Sequence, residues 1–495
     1  MRRPLEGSYW TTFALVLIAL CPNIVLTTAW TLITKPVGHS ISLGPTGLEV
    51  IEGLSNGGYA FGALVGGDLV RRLPHRPLFL GCELLFAGAS ALAAFAVDWP
   101  MFAVGRIVQG LATGFLLVVA IPPLVQRFPP ERLPITAAGV NIGFFGAVAA
   151  GPLVGGAAGL NLHDWRYLVG GLGALALVGV LLALLSLADE EAPDPDLRPD
   201  WPAFALAAVG TAAPFVGVSL LASSTRGYSA PVFWAPLAAG TVAIVALLVV
   251  EYRAENALAP VKPLATTYPV IGIVVASLGG AAFVTALQLA LAFMTRVNHD
   301  SPLDAGLAVW PEVVTVLAAA LAFWLFIRTR WLPGFVLGGL VLLSAGCWLL
   351  TEIGHRNVHA VVLGSSALLG AGAGATVAPA LWFAGFSVEA ALVGRVFALV
   401  ELIRAEADYI VGPVLRKIAM TSAGAAGAAH GIRHALWLNT LIAVATTALC
   451  IGIWLTGRGR FQRPDLEAYV EEGKPGVDSP PLFGVLKRYA SSRAR

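Results

Sequence analysis

The chain has 495 residues, 57% of them hydrophobic and only 12% charged, with a mean hydropathy of +0.79. A soluble domain of this length needs far more polar surface to coat its core, so that class is excluded. The net charge of +2 says little, because in so apolar a chain the placement of charge matters more than its sum; no nucleic-acid partner is expected.

Apolar runs of roughly 20 residues recur from start to end, each long enough to cross ~30 Å of hydrocarbon. They are continuous rather than alternating, which favours helices over barrel strands. The first run, from near Trp10, follows Met1-Arg2-Arg3 but is too long for a signal segment and lacks a small-residue cleavage site, so it reads as a retained helix. About fourteen candidate spans follow one another at 10–34, 48–71, 77–97, 100–125, 134–160, 166–188, 201–222, 231–252, 268–296, 304–327, 331–351, 357–385, 390–415 and 434–456. The longest internal polar break runs from Asp189 to Asp200 and carries Glu190, Glu191, Asp194 and Asp196. After Gly457 the tail reads as disordered, with Leu482-Phe483-Gly484-Val485-Leu486 as a short interfacial patch.

Alternating the spans from a cytoplasmic N-terminus puts Arg71, Arg72, Arg76, Arg127, Arg132 and the basic tail (Arg458, Arg460, Arg463, Lys487, Arg488) inside. Fewer basic residues, among them Lys35, Arg166, Arg226 and Arg296, fall outside. The bias predicts both termini in the cytoplasm. Four scattered cysteines (Cys21, Cys82, Cys347, Cys450) read as small buried hydrophobes, and no metal or cofactor is expected.

Four local patterns stand out in order, the third of them including the Trp-Arg pair that opens the sixth span. Gly66-Gly67-Asp68-Leu69-Val70-Arg71-Arg72 follows the second span, and Arg106-Ile107-Val108-Gln109-Gly110 lies in the fourth, with Gly114 a turn later. Gly151-Pro152-Leu153-Val154-Gly155-Gly156 lies in the fifth span, and Trp165-Arg166 opens the sixth. Ser301-Pro302-Leu303-Asp304-Ala305-Gly306 precedes Trp310-Pro311. An intramembrane arginine such as Arg106 costs roughly 2.5–3.5 kcal/mol or more at a span's centre unless it faces a partner or a wet cavity; the alternative is an arginine snorkelling to the cytoplasmic end. The Pro and Gly of the fifth span permit a bend and close helix approach.

Taken together, these patterns resemble the major facilitator superfamily, and in particular its fourteen-helix drug:proton antiporter branch. The resemblance implies an all-α membrane protein of two six-helix bundles, residues 1–188 and 268–456. Residues 189–267 would hold an acidic loop and two extra spans, and 457–495 a cytoplasmic tail. It further implies a conformational-switch loop at Asp68, Arg71 and Arg72, served by Glu83. Arg106 would support a proton relay or substrate site, and Gly151, Pro152, Gly155 and Gly156 would form the antiporter-like motif. The match is partial: Leu64 and Ala147 stand where glycines are expected. The acid that the branch carries in the first span is missing from Leu20-Cys21-Pro22-Asn23-Ile24-Val25.

A replacement is available in the penultimate span. At 100° per residue, Glu401, Arg404 and Asp408 fall within ~60° of one face, while Glu406 points elsewhere. An arginine flanked by two carboxylates can exchange partners when one acid is protonated; a static ion-pair network is the alternative. Glu312 lies about two turns inside its span, whereas Glu49 and Glu52 at the mouth of the second span read as solvated. The pairs His355/His359 and His430/His434 lack carboxylate company in the sequence and read as polar rather than metal-binding.

The expected function is a secondary active transporter in the bacterial cytoplasmic membrane, exporting a small amphipathic or lipid-like solute by alternating access with protons as coupling ion. No Gly-x-x-x-x-Gly-Lys-Ser/Thr occurs, so ATP hydrolysis by this chain is not expected. Phe144, Phe145, Trp310, Trp382 and Phe383 would suit such a solute. The alternative is a facilitator or importer of an anion, using Arg106 and Arg404 as ligands. An enzyme is not expected, because no histidine sits mid-span. Membrane lipids, a monomeric state and an accessory periplasmic subunit complete the expectations.

Overall fold

The computed structural model describes residues 3–223, 231–254, 261–424 and 427–482. Met1, Arg2, Arg226, Lys487, Arg488 and the stretch from Phe483 to Leu486 lie outside the described residues.

Helices dominate. They are α1 (Tyr9–Ser40), α2 (Pro45–Arg72), α3 (His75–Ala94), α4 (Trp99–Gln126), α5 (Leu133–Ala158), α6 (Asp164–Ser186), α7 (Trp201–Ser223) and α8 (Pro231–Arg253). They continue with α9 (Thr267–Arg296), α10 (Pro302–Phe326), α11 (Leu332–Leu350), α12 (Val358–Phe386), α13 (Val393–Ala423) and α14 (Gly427–Gly457), and a short α15 (Leu466–Glu471) follows. Caps mark several starts: Ser8, Asp98 and Ser301 each accept a hydrogen bond from a backbone N–H of the first turn, which otherwise has no partner. No strand occurs among the described residues, only an isolated bridge between Thr266 and Pro481.

Twelve of these helices are long and apolar enough to cross a membrane. The other two long ones, α2 with 28 residues and α13 with 31, have the length but carry more charge, including Glu49, Glu52 and Asp68 on α2 and Glu401, Arg404, Glu406 and Asp408 on α13. These two more highly charged helices pack against each other.

Helices α1–α6 pack together, as do α9–α14, and the two groups meet along α2/α13 on one side and α5/α10 on the other. Helix α8 packs on α7, and α7 in turn packs on both α2 and α13. Close approach of α2 to α4 rests on Gly110 and Gly114, where a Cβ would collide with the carbonyl oxygens of Ser55 and Tyr59.

The ends of the bundle differ. At the end where α1 begins and α14 finishes (the terminal end), the acidic 189–194 segment lies over basic groups. Arg3 and Arg76 both bind Asp189, Arg127 binds Glu190, and Arg71 reaches Asp194 at 3.4 Å. The Arg76 hydrogen bond holds the Asp189 carboxyl below its ordinary value.

The tail departs from the expected disorder. Residues 458–482 fold back over the terminal ends of α9 and α12: Thr267 N–H donates to Pro480 O at 2.9 Å, Tyr268 N–H to Ser479 Oγ at 3.0 Å, and Val477 N–H to Phe386 O at 3.1 Å. Tyr268 and Tyr469 are fully buried beneath this strap, with Tyr469 edge-on to Phe386 at 5.2 Å. Buried aromatic area and satisfied backbone groups order a segment whose charge content reads as disordered.

Candidate functional site

A cavity lies between the two helix groups, lined mainly by α1, α2, α5, α9 and α13. Its wall extends to Thr34, Glu49, Arg296 and Arg416 near the distal ends of their helices. It stops short of the terminal end, where Gln126 Nε2 donates to Ala390 O at 3.0 Å and Arg328 to Glu131 O at 3.0 Å across the two groups. The cavity is therefore displaced toward the distal side, where the Glu49–Arg416 pair also joins the two groups.

One wall carries the cluster expected on the penultimate span. Arg404 Nε donates to Glu401 Oε2 at 2.8 Å, and Nη1 to Asp408 Oδ2 at 2.5 Å. The three side chains stay largely shielded, with Arg404 25% exposed, so the ion pairs stand in a poorly hydrated pocket where charge is expensive. Tyr59 of α2 donates to Glu401 Oε2 at 3.1 Å, tying the other half to the cluster. Opposite stands Gly280, where a Cβ would meet Asp408 and Arg404 side-chain atoms. A π-helical stretch at Val275–Gly279 precedes it and sets that face of α9. Glu406 points away, as its angular position predicts, and does not line the cavity; its buried Oε1 has no hydrogen-bond partner.

A second cluster occupies the other half. Arg106 is wholly buried and donates from Nη2 to Glu52 Oε2 and from Nη1 to Gln109 Oε1, both at 2.8 Å. Gln109 donates onward to Ser90 Oγ at 2.7 Å, and the guanidinium sits 5.6 Å from the Trp30 ring centroid. Arg106 does not snorkel: α4 starts at the distal end, which places it far from the terminal end, and its partners are side chains of α2 and α4. The expected solvation of Glu52 is overturned by this pair, since the side chain is buried though it touches the cavity. Glu49 is also paired, held by Arg416 of α13 at 2.7 and 2.9 Å in a two-pronged bridge between the halves.

Two sequence patterns turn out to be one contact. Gly156 lies against Pro302 and Leu303, where a Cβ would stand 2.6 Å from Pro302 O, and Gly306 lies against the carbonyl of Pro152. Gly151 and Gly155 face α1 instead, at Thr28 and Ala29. The fifth-span motif and the Ser301–Gly306 junction thus interlock across the α5/α10 seam. The expected loop pattern lies in the last turns of α2 rather than after it: Asp68 pairs with Arg72 one turn on, and Gly67 lies against the Arg395 side chain of α13.

Other expectations do not converge on the cavity. Glu83 is buried beside Gly179 of α6 and has no contact with the Asp68 pair; Glu312 is buried with neither oxygen hydrogen-bonded. Phe144 and Phe145 line the cavity, but Trp382 packs on Phe386 and Phe397, Phe383 on Tyr268, and Trp310 is exposed. His359 does have carboxylate company, with Nε2 3.5 Å from Asp300 Oδ2, and His434 pairs with Ser422 at 2.8 Å. Sequence reasoning missed Tyr59, Asn56, Tyr409 and Gln288 on the wall. It also missed the stripe Thr27, Thr31 and Thr34 on α1, although spacings of four and three were there to be read.

The Major Facilitator Superfamily pattern matches residues 11–413. The chain belongs to that superfamily. This major facilitator is 30% identical over 387 residues to the uncharacterized MFS-type transporter YubD of Bacillus subtilis, covering 75% of this chain and 73% of the relative. It is 26% identical over 384 residues to the cephamycin export protein CmcT of Amycolatopsis lactamdurans, covering 74% and 76%. Its fold matches the crystal structure of the human organic anion transporter MFSD10 with a TM-score of 0.58 at 17% identity, over 88% of this chain and all of that one. This major facilitator is thus a multi-pass membrane transporter, and its family and fold are those of proteins that move solutes rather than transform them.

Proposed function

We propose that this transporter exports a small amphipathic or lipid-like solute across the bacterial cytoplasmic membrane by alternating access, driven by protons. The observation that carries the reading is the Glu401–Arg404–Asp408 cluster on the wall of a cavity between the two halves, with Tyr59 reaching it from the opposite half. Protonating Glu401 loosens its hold on Arg404 and on Tyr59, and protonating Asp408 frees Arg404 to shift toward Glu401, so a proton alters the bond between the halves. The mixed wall, with Phe144, Phe145 and Leu381 beside the threonine stripe of α1, suits a solute with apolar and polar faces. The likeness to a cephamycin exporter supports the outward direction.

In this reading α2 and α13 cross the membrane with the other twelve long helices, giving fourteen spans, and the terminal end is cytoplasmic. Residues 1–188 and 268–456 are the two bundles, 189–267 the inserted loop and hairpin, and 457–495 the cytoplasmic tail. The chain acts as a monomer, and an accessory periplasmic subunit is compatible with a cavity displaced toward the distal side. The alternative, an anion facilitator using Arg106 and Arg404, is disfavoured because carboxylates already occupy both arginines.

The test is transport of a lipophilic dye such as ethidium in proteoliposomes with an imposed pH gradient. Wild type should accumulate dye against its gradient, and Asp408→Asn and Arg404→Ala should lose that accumulation. Unchanged gradient-driven flux in both variants would remove the cluster from the mechanism.

A further inference from the structure

The first span supplies no acid to the cavity: α1 presents Asn23, Thr27, Thr31 and Thr34 there. The carboxylate in that half comes from α2 instead. We infer that Glu52 is the proton-exchanging carboxylate of the N-terminal half, a role that rests on the proton-coupled reading above.

Four observations support the assignment. Glu52 touches the cavity while its partner Arg106 is sealed behind it, so a proton arriving from the distal side meets the acid and not the arginine. Its two oxygens are held unequally: Oε2 takes the Arg106 bond at 2.8 Å, whereas Oε1 has only Asn56 Nδ2 at 3.4 Å. One oxygen is therefore available to carry a proton without breaking the main contact. When Glu52 is neutral, Arg106 still keeps Gln109 Oε1 and the Trp30 ring. Finally, the charge change occurs at the boundary with the other half: Glu52 lines the same cavity as Arg404, Asp408 and Tyr409 of α13.

The charged neighbourhood is small. From α4 Glu52 faces Arg106, and from α13 it faces Tyr409 with Asp408 and Arg404 beyond. On α2 itself Glu49 stands a turn away, neutralised by Arg416. Helix α7 contributes no ionisable side chain, and Lys35 and His39 of α1 are exposed at its distal end. A proton on Glu52 thus removes the counter-charge of Arg106 beside a cavity that Arg404 and Asp408 also line.

The experiment uses the full chain in lipid nanodiscs and two readouts that need no substrate. One is the protonated-carboxyl band in infrared difference spectra on acidification. The other is the distance between spin labels at Ser42→Cys and Glu352→Cys across the distal end. Wild type should show a pH-dependent band and a pH-dependent distance change. Glu52→Gln should lose a component of the band and the distance change, and Glu52→Asp should keep both with a shifted midpoint. Because Glu52→Gln strands a buried arginine, Glu52→Gln/Arg106→Gln serves as the variant without an orphan charge, and it should give the same loss. Retention of the wild-type band and midpoint in the folded double variant, with loss in Asp408→Asn, would overturn the role of Glu52 and leave proton coupling standing. A wild type without either pH response would overturn proton coupling itself, and this inference with it.

Discussion

The two arginine clusters use the same chemistry and are built in opposite ways. Glu401, Arg404 and Asp408 stand on consecutive turns of one helix and face a cavity, with Arg404 a quarter exposed. The Arg106 cluster draws Glu52 from α2, Ser90 from α3 and Trp30 from α1, and its arginine has no exposure. The first can rearrange by changing side-chain rotamers. The second is locked into the packing of four helices, so it can change its charge on Glu52 but not its geometry.

The largest effect that would test this contrast is Arg106→Ala. It leaves the Glu52 carboxylate buried without its partner and should cost about 3–5 kcal/mol in a denaturation series of the purified protein. Arg404→Ala, in the wetter cluster, should cost at most about 1.5–3 kcal/mol while abolishing gradient-driven transport. Equal losses would erase the distinction between a locked and a mobile arginine.

Next comes a pair of glycines, one in each kind of environment. Gly306→Ala forces a methyl group against the Pro152 carbonyl and should destabilise the closed α5/α10 seam by about 1–3 kcal/mol. Crosslinking between cysteines placed on α5 and α10 should weaken. Gly280→Ala, beside the Arg404 cluster, meets its nearest atom at 3.5 Å and should be tolerated. A tolerated Gly306→Ala would show that the seam is not close-packed in solution.

Smaller still is the bridge between Glu49 and Arg416, which is partly open to water. Arg416→Gln should change stability by about 0.2–1 kcal/mol, and the difference should shrink with added salt. The smallest effect is local. Asp189 has a folded-state pKa below its ordinary 3.8, so its contribution is present above that value and lost as pH falls through the depressed one. Hydrogen exchange in residues 187–197 should therefore rise only below the ordinary carboxylate range, and Arg76→Gln should move that rise to higher pH.

The legible parts were those in which neighbours in sequence are neighbours in space. Apolar runs gave the membrane-length helices, and the spacing of Glu401, Arg404 and Asp408 placed them on one face because three and four residues make a turn. Glu52 was misread for the complementary reason: its partner lies 54 positions away, and nothing local tells a paired acid from a solvated one. The tail misled similarly, since Tyr268 and Tyr469 become cohesive only when α9 lies beneath the strap. The fifth-span glycines and the Ser301–Gly306 junction were each noticed, but their mutual contact is a property of the folded seam.

The α7–α8 hairpin makes the two seams unequal. Because α7 adheres to both α2 and α13, any movement that parts those helices must also strip α7 from one of them and uncover further apolar surface to lipid. The opposite seam joins α5 directly to α10 and α12, through the glycine contact and the hydrogen bond from Asn141 Nδ2 to Gly374 O at 2.8 Å, without the hairpin. In the alternating-access reading proposed above, a tilt of one half against the other therefore meets unlike resistance on its two flanks, like a door hung from one side rather than a symmetric rocker.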